Sequence, residues 1–487
     1  MAGSSMLRLL LALGAWARLA QAQIFRFQET PVPATFSLST HYMFYVYAKE
    51  DAPKSDPGAA ASVEFRQLTS KKSGNAEPPR SYKSVEVSLL PFEMFWTLVN
   101  KEKFCSSTED VRTKRADECC KLMLTKPKGK TLAEVGASIQ PVPFPASGGA
   151  VPKTVAFPIK KTGVYILTFT NCGNFSEATV SGSLAVKNVY GYLPANEFYT
   201  MRLFGWLTVL YVLIFMISFG AMVRHYKALF YIQKGIASIT FLCVVECAAT
   251  WMQYKDWNEN GERRDIFFVA SLLFYTLKYV LSWRLILLSS LGAGVVLQDL
   301  DTKTSIIFFA ASTLFMVQSC LWKLLISYRY SHALETGFLM IVTIPGVLIY
   351  TGMFMWTFFS LSNLLVRIEE QKQDMLVKTF RRVQKVLIGG LVLSTFVLLL
   401  QVVDISYGGI FPWEYQWFSV DGAPQFAFLL VLCLMMWVWW PNEDSWKFGY
   451  MVQVDQNDDE EVMDPSGERS QKSTSVAPEQ IGVGEDL

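Results

Sequence analysis

The sequence predicts a membrane protein in two parts, an antiparallel β-sandwich over residues 23–196 and a seven-helix transmembrane bundle over residues 197–440. Three observations predict it. Seven apolar segments lie between Leu203 and Trp440, each close to the ~20 residues that cross a hydrocarbon core. Before them come short runs of alternating apolar and polar residues, punctuated by turn formers. The charge is also divided: residues 23–196 carry 21 Lys/Arg against 15 Asp/Glu, whereas from Pro441 onward 12 Asp/Glu face three Lys/Arg.

The first 22 residues read as a signal peptide. Arg8 supplies the positive start, Leu9-Leu10-Leu11-Ala12-Leu13 begins the apolar core, and Ala20-Gln21-Ala22 is a small-residue cleavage site. An eighth membrane helix is the competing reading. The short run and Arg18 disfavour it. The mature chain is expected to begin at Gln23, in the lumen or outside the cell.

The next segment reads as strands. Phe36–Ser39 alternates, His41–Tyr47 is aromatic-rich, and Val63–Leu68, Ser84–Leu89, Thr154–Ile159, Gly163–Thr170 and Thr179–Val186 follow. Pro57-Gly58, Gly74-Asn75, Pro78-Pro79 and Gly148-Gly149 separate them. Regularly spaced short strands without helices argue for a sandwich. Four cysteines fall here: Cys105, Cys119, Cys120 and Cys172. In an oxidising compartment they allow two disulfides, in three connectivities. Adjacent Cys119 and Cys120 make a strained pair, so one is expected to join Cys105 and the other Cys172. A zinc site is the rival, and no histidine lies nearby to favour it. Asn174-Phe175-Ser176 is a glycosylation sequon. Arg112-Thr113-Lys114-Arg115 has the dibasic pattern of a convertase cleavage site, or else is a solvated charged loop.

The seven apolar segments are Leu203–Val223, Ala228–Met252, Ile266–Leu291, Ser305–Leu325, Gly337–Leu364, Val386–Val403 and Ala423–Trp440. Pro345-Gly346 marks a kink in the fifth. With the N-terminus luminal, the cytoplasmic loops hold Arg224, Lys227, Lys303, Arg367, Lys372, Lys378, Arg381, Arg382 and Lys385. The luminal loops hold Lys255, Arg263, Arg264 and Arg329. That bias places the C-terminus in the cytoplasm.

Nothing in the sequence forms a catalytic constellation. His41, His225 and His332 are scattered, and no nucleophile elbow, zinc-protease helix or phosphate loop appears. The chain is expected to be no enzyme, to carry no cofactor or metal, and to bind no nucleic acid. The seventh segment lacks a Schiff-base lysine, and the third ends in Ser289-Ser290-Leu291-Gly292 rather than an Asp-Arg-Tyr switch. Both absences weaken a receptor reading.

Specific residues then narrow the class. Gly163-Val164-Tyr165-Ile166-Leu167 leads to Asn171-Cys172, followed by Gly182-Ser183-Leu184 and Asn188-Val189-Tyr190-Gly191-Tyr192-Leu193-Pro194-Ala195 before the first span. Leu277-Lys278 precedes Arg284 and Gly292, and the seventh span ends Trp439-Trp440-Pro441, then Tyr450 and an acidic tail. This pattern resembles the GOLD-domain seven-transmembrane family, also called the lung seven-transmembrane receptor family. Glu246, Lys278 and Arg284 are most similar to its transmembrane-protein-87 branch. The resemblance implies a luminal GOLD β-sandwich, Golgi and endosomal residence, and a role in membrane trafficking. It also implies a lipid-accessible cavity in the bundle. For members of the family, cation-channel and G-protein-coupled-receptor roles have both been proposed.

Charges inside the bundle are the sharpest candidates, because an ionisable residue within a span costs about 2.5–3.5 kcal/mol on insertion scales. Glu246 lies six residues inside Met252, about 9 Å, and Lys278 lies 12 residues inside Ile266, about 18 Å. The two are expected to face one cavity despite that offset of about 9 Å, with Arg284 marking its cytoplasmic side. A structural ion pair is the alternative. The loop Val366–Lys385 reads as helical, with Leu376, Phe380 and Val383 on one face, either a solvated extension or a surface for anionic lipid. Tyr407, Phe411, Trp413, Tyr415, Trp417 and Phe418 either anchor the interface or contact the sandwich. The tail from Pro441, with its acidic run Asp455–Asp464, is expected to be a disordered cytoplasmic segment or a sorting signal. Expected partners are therefore a membrane lipid in the bundle, a luminal cargo or protein partner, and cytoplasmic sorting machinery.

Overall fold

The computed structural model describes residues 24–33, 41–52, 61–73, 84–92, 138–143, 153–170, 177–226, 229, 231–292, 302–328, 336–406 and 411–441. The signal peptide, Cys105, Cys119, Cys120, Cys172, Asn174, Arg112, Lys114, Arg115, His332 and the acidic tail lie outside the described residues.

Eight strands build the N-terminal part: β1 (Ile24–Pro33), β2 (His41–Val46), β3 (Ser62–Ser73), β4 (Ser84–Pro91), β5 (Ser138–Pro143), β6 (Lys153–Pro158), β7 (Gly163–Thr170) and β8 (Glu177–Lys187). They form two antiparallel four-stranded sheets, ordered β1-β8-β3-β6 and β2-β7-β4-β5. Alternate residues face inward, as a period of two requires. Phe44, Val46, Val87, Leu89, Leu167 and Phe169 of one sheet meet Val63, Phe65, Phe157, Val180, Leu184 and Val186 of the other in a single buried cluster. The predicted sandwich is thus present. β1 and β5 are additions to the sequence reading. Both contain two prolines and both sit at sheet edges, the positions where a missing N–H costs no ladder bond. A bulge between Phe27 and Thr30, with Glu29 at φ 46°, bends β1.

Seven helices follow: α1 (Phe198–Arg224), α2 (Tyr231–Asn260), α3 (Asp265–Ser290), α4 (Thr302–Tyr328), α5 (Thr336–Glu370), α6 (Asp374–Ser406) and α7 (Ala423–Val438). All seven are long and apolar enough to cross a membrane. The inner faces of six of them share one core, with Phe204, Leu207 and Tyr211 of α1, Ile236 and Cys243 of α2, Leu361 and Ile368 of α5 and Met435 of α7, while α4 packs through Phe315, Cys320 and Leu325 in smaller clusters with α3 and α5. Their outer faces stay apolar and uncovered. Trp206 is 75% exposed, Ile341 71% and Val392 66%, an apolar band of the kind that faces lipid.

Pro345 interrupts α5 and removes one backbone donor. The carbonyl that loses its donor is that of Ile341, four residues back; Gln318 of α4 braces the chain one residue further on, donating from Nε2 to the carbonyl of Val342 at 3.0 Å. Gly346 permits the approach, since a Cβ there would lie 2.4 Å from that nitrogen. At the other end of the bundle, α6 begins well before its apolar stretch. Leu376, Phe380 and Val383 are buried there, with Phe380 edge-on to Trp439 at 5.6 Å. The basic segment is therefore partly a packed helix, turning back through Lys372 at φ 59°.

Candidate functional site

Two of the predicted charges meet inside the bundle. Lys278 Nζ on α3 donates to Glu246 Oε2 on α2 at 3.1 Å, and both side chains are 0% exposed. Spans ended at their apolar limits put the two residues about 9 Å apart in depth. The helices run further. Glu246 lies 14 residues before Asn260 and Lys278 13 residues after Asp265, so both sit about 20 Å from the short α2–α3 connection.

A third residue completes the centre. Gln425 of α7 accepts from Lys278 Nζ through Oε1 at 3.1 Å and donates from Nε2 to Glu246 Oε1 at 3.4 Å. The Cys247 thiol donates to Glu246 Oε2 at 3.3 Å. Lys278 is enclosed by rings: Phe428 at 4.8 Å, Tyr279 at 5.0 Å and Tyr275 at 5.7 Å from the ammonium. The ammonium thus has a carboxylate, an amide oxygen and aromatic faces around it. The group is neutral as a whole and ties α2, α3 and α7 together. Nothing in the sequence singled out Gln425 or Phe428, since one neutral amide in an apolar run is unremarkable, although their three-residue spacing puts both on one helix face.

Arg284 stands apart from this centre. It is six residues further along α3, about 9 Å, and its guanidinium lies over the ring of Phe308 on α4 at 5.1 Å. Beside it in sequence, the Trp283 indole N–H is buried without a hydrogen-bond partner among the described residues. Among those residues there is also no cluster of His, Cys, Asp and Glu able to hold a metal.

The far end of α2 meets the sandwich. Asn258 accepts from Leu193 N through Oδ1 at 3.1 Å, donates from Nδ2 to Tyr190 O at 2.9 Å, and accepts from Tyr192 N through its own carbonyl at 2.9 Å. Gly191 has φ 140°, and a Cβ there would fall 2.5 Å from Asn258 Oδ1. Only glycine fits that contact. Asn188 secures the same turn, donating to Leu193 O at 2.8 Å and accepting from Tyr47 N at 3.0 Å. Arg26 of β1 pairs with Glu262 beyond α2 at 2.5 Å. Of the aromatic loop before α7, Trp413 packs on Tyr45 and Tyr47 at 5.5 and 5.3 Å, and Trp417 stacks on Tyr199 at 6.0 Å.

Sandwich, seven spans and buried ion pair together define a seven-pass membrane protein with an N-terminal β domain. The model of the GOST seven-transmembrane domain matches residues 199–446, and the chain belongs to that family, in the branch of transmembrane proteins 87A and 87B. It is 22% identical over 324 residues to transmembrane protein 87A of Xenopus tropicalis, covering 63% of this chain and 58% of that protein. It is 23% identical over 321 residues to membrane protein PTM1 of Saccharomyces cerevisiae (strain YJM789), covering 63% and 60%. Human transmembrane protein 87B is 20% identical over 308 residues, covering 61% and 53%. The chain spans between about half and three-fifths of these relatives' lengths.

Proposed function

We propose that this protein is a non-enzymatic trafficking factor of Golgi and endosomal membranes, its N-terminus luminal and its C-terminus cytoplasmic. The sandwich binds a luminal cargo or protein partner, the bundle binds a membrane lipid, and the tail engages sorting machinery. The observation that carries this reading is the continuity of α2. One end grips the linker that follows β8 through Asn258, and its middle holds Glu246 in the buried centre. A partner on the sandwich and a lipid in the bundle would therefore act on one helix. Trp283 and Arg284 support the lipid half: an unpartnered buried N–H beside a guanidinium suits a phosphate headgroup. The Golgi location rests on the family resemblance.

A second reading, a cation channel, is favoured by the ion pair itself, since intramembrane charges commonly mark ion paths. Timing a luminal secretory cargo through cells depleted of the protein tests the first reading. Transit should slow and recover when the wild-type chain is restored. Unchanged transit, with the protein outside Golgi and endosomes, would sink it.

A further inference from the structure

A cleft of about 420 Å³ lies where the sandwich meets the bundle, walled by Tyr47, Asp51, Thr162, Tyr199, Glu414 and Tyr415. The chemistry of this wall is selective. It holds two carboxylates and three phenol rings, with no lysine, arginine or histidine among them. Neither Asp51 nor Glu414 forms an ion pair with any described residue. Among the described residues Asp51 accepts only the Thr162 hydroxyl, at 2.6 Å through Oδ2, and that bond aims the carboxylate without neutralising it. Tyr47 is only 4% exposed, yet its hydroxyl has no hydrogen-bond partner among the described residues and faces Tyr199, Glu414 and Tyr415. Burial first, then the neighbouring Tyr199 and Glu414, hold that hydroxyl above its usual pKa, so it stays a neutral donor and acceptor.

An anion would be repelled by the two carboxylates. A hard metal ion needs about six to eight oxygen ligands held close together, and among the described residues no group of three or more His, Cys, Asp or Glu side chains is placed to hold one. Carboxylates combined with tyrosine rings instead match an alkylammonium group, which takes Coulomb attraction from the acids and cation–π attraction from the rings. We propose that this junction cleft binds a small organic cation of the alkylammonium class. Tyr47, Tyr199 and Tyr415 supply the rings, and Asp51 and Glu414 supply the counter-charge. Because Asp51 and Thr162 belong to the sandwich and Glu414 and Tyr415 to the loop before α7, the ligand bridges the two parts of the molecule.

The test uses the purified full chain in nanodiscs of phosphatidylglycerol, which brings no ammonium group. Choline is the probe, followed by saturation-transfer NMR of its methyl protons and by calorimetry, and its uncharged isostere 3,3-dimethylbutan-1-ol is the control. Choline should bind saturably and at least tenfold more tightly than the isostere. Glu414→Gln together with Asp51→Asn should weaken choline at least tenfold while leaving the unfolding temperature unchanged. Tyr47→Phe, which keeps the packing, should weaken it less. If nanodiscs of phosphatidylcholine abolish choline binding, the ammonium comes from a lipid headgroup; if they do not, it comes from a free amine. Either result supports the cleft proposed. Failure of choline to bind saturably, equal binding of the isostere, or full affinity in the folded double variant would overturn it.

Discussion

Replacing Lys278 with Met strands the Glu246 carboxylate in a site with no exposed surface. Its remaining donors are Gln425 Nε2 at 3.4 Å and the Cys247 thiol at 3.3 Å, neither of which carries charge. Breaking a buried pair from one side costs about 3–5 kcal/mol, because the survivor keeps its desolvation penalty and loses its counter-charge. Glu246→Gln strands the ammonium instead. It keeps Gln425 Oε1 and three rings, so its loss should fall at the lower end of that range. The double variant buries no charge, and removing both partners of such a pair is often close to neutral. The predicted coupling is therefore large, with the double variant recovering at least about 2 kcal/mol of the summed losses. Equilibrium unfolding of the four purified proteins in one detergent gives this cycle directly. Losses below about 1 kcal/mol for both single variants, or simple additivity, would refute the claim that the pair is an interlock of α2, α3 and α7.

Three further outcomes follow from the same geometry. Gly191→Ala should destabilise the sandwich–bundle junction by about 1–3 kcal/mol, read as faster limited proteolysis between the two parts; a Gly191→Ala chain as resistant as wild type would contradict the steric argument. Gln318→Leu removes the α4 side-chain donor to Val342 O beside Pro345 and should cost about 0.5–1.5 kcal/mol, measured as a lower unfolding temperature. Glycosidase treatment of the cell-derived protein should reduce its apparent size, and Asn174→Gln should abolish that shift; a shift surviving the substitution would place the glycan elsewhere.

The architecture was legible because it rests on coarse physical signals. Seven runs with few charges have one stable arrangement in lipid, whatever their detailed packing. Strands such as Gly163–Thr170 showed because aromatic and β-branched residues alternate there. β1 and β5 did not, since Pro31, Pro33, Pro141 and Pro143 read as breakers until the edge position is known. Helix ends were also hidden. α2 continues eight residues past Met252 to Asn260, and six of those eight are polar or charged, so an apolar count stops short of them although Gln253 and Trp257 are buried. That extension changes the depth of Glu246 and creates the Asn258 contacts with the linker. The charged pair was visible because ionisable residues are rare in spans. Gln425 was not, since its role depends on how α7 lies against α2 and α3. For the aromatic loop, composition left anchoring and domain contact open. Trp413, between Tyr45 and Tyr47, makes the contact.

The measurement closest to the central claim is ion flux in liposomes holding the purified protein, combined with mass spectrometry of its retained lipids. A trafficking factor with a lipid-binding bundle and a closed Glu246–Lys278–Gln425 centre should give no selective current and should carry a defined phospholipid. That phospholipid should be depleted by Arg284→Gln. A selective cation current that disappears in Glu246→Gln, from protein that retains no lipid, would contradict the account and establish the channel instead.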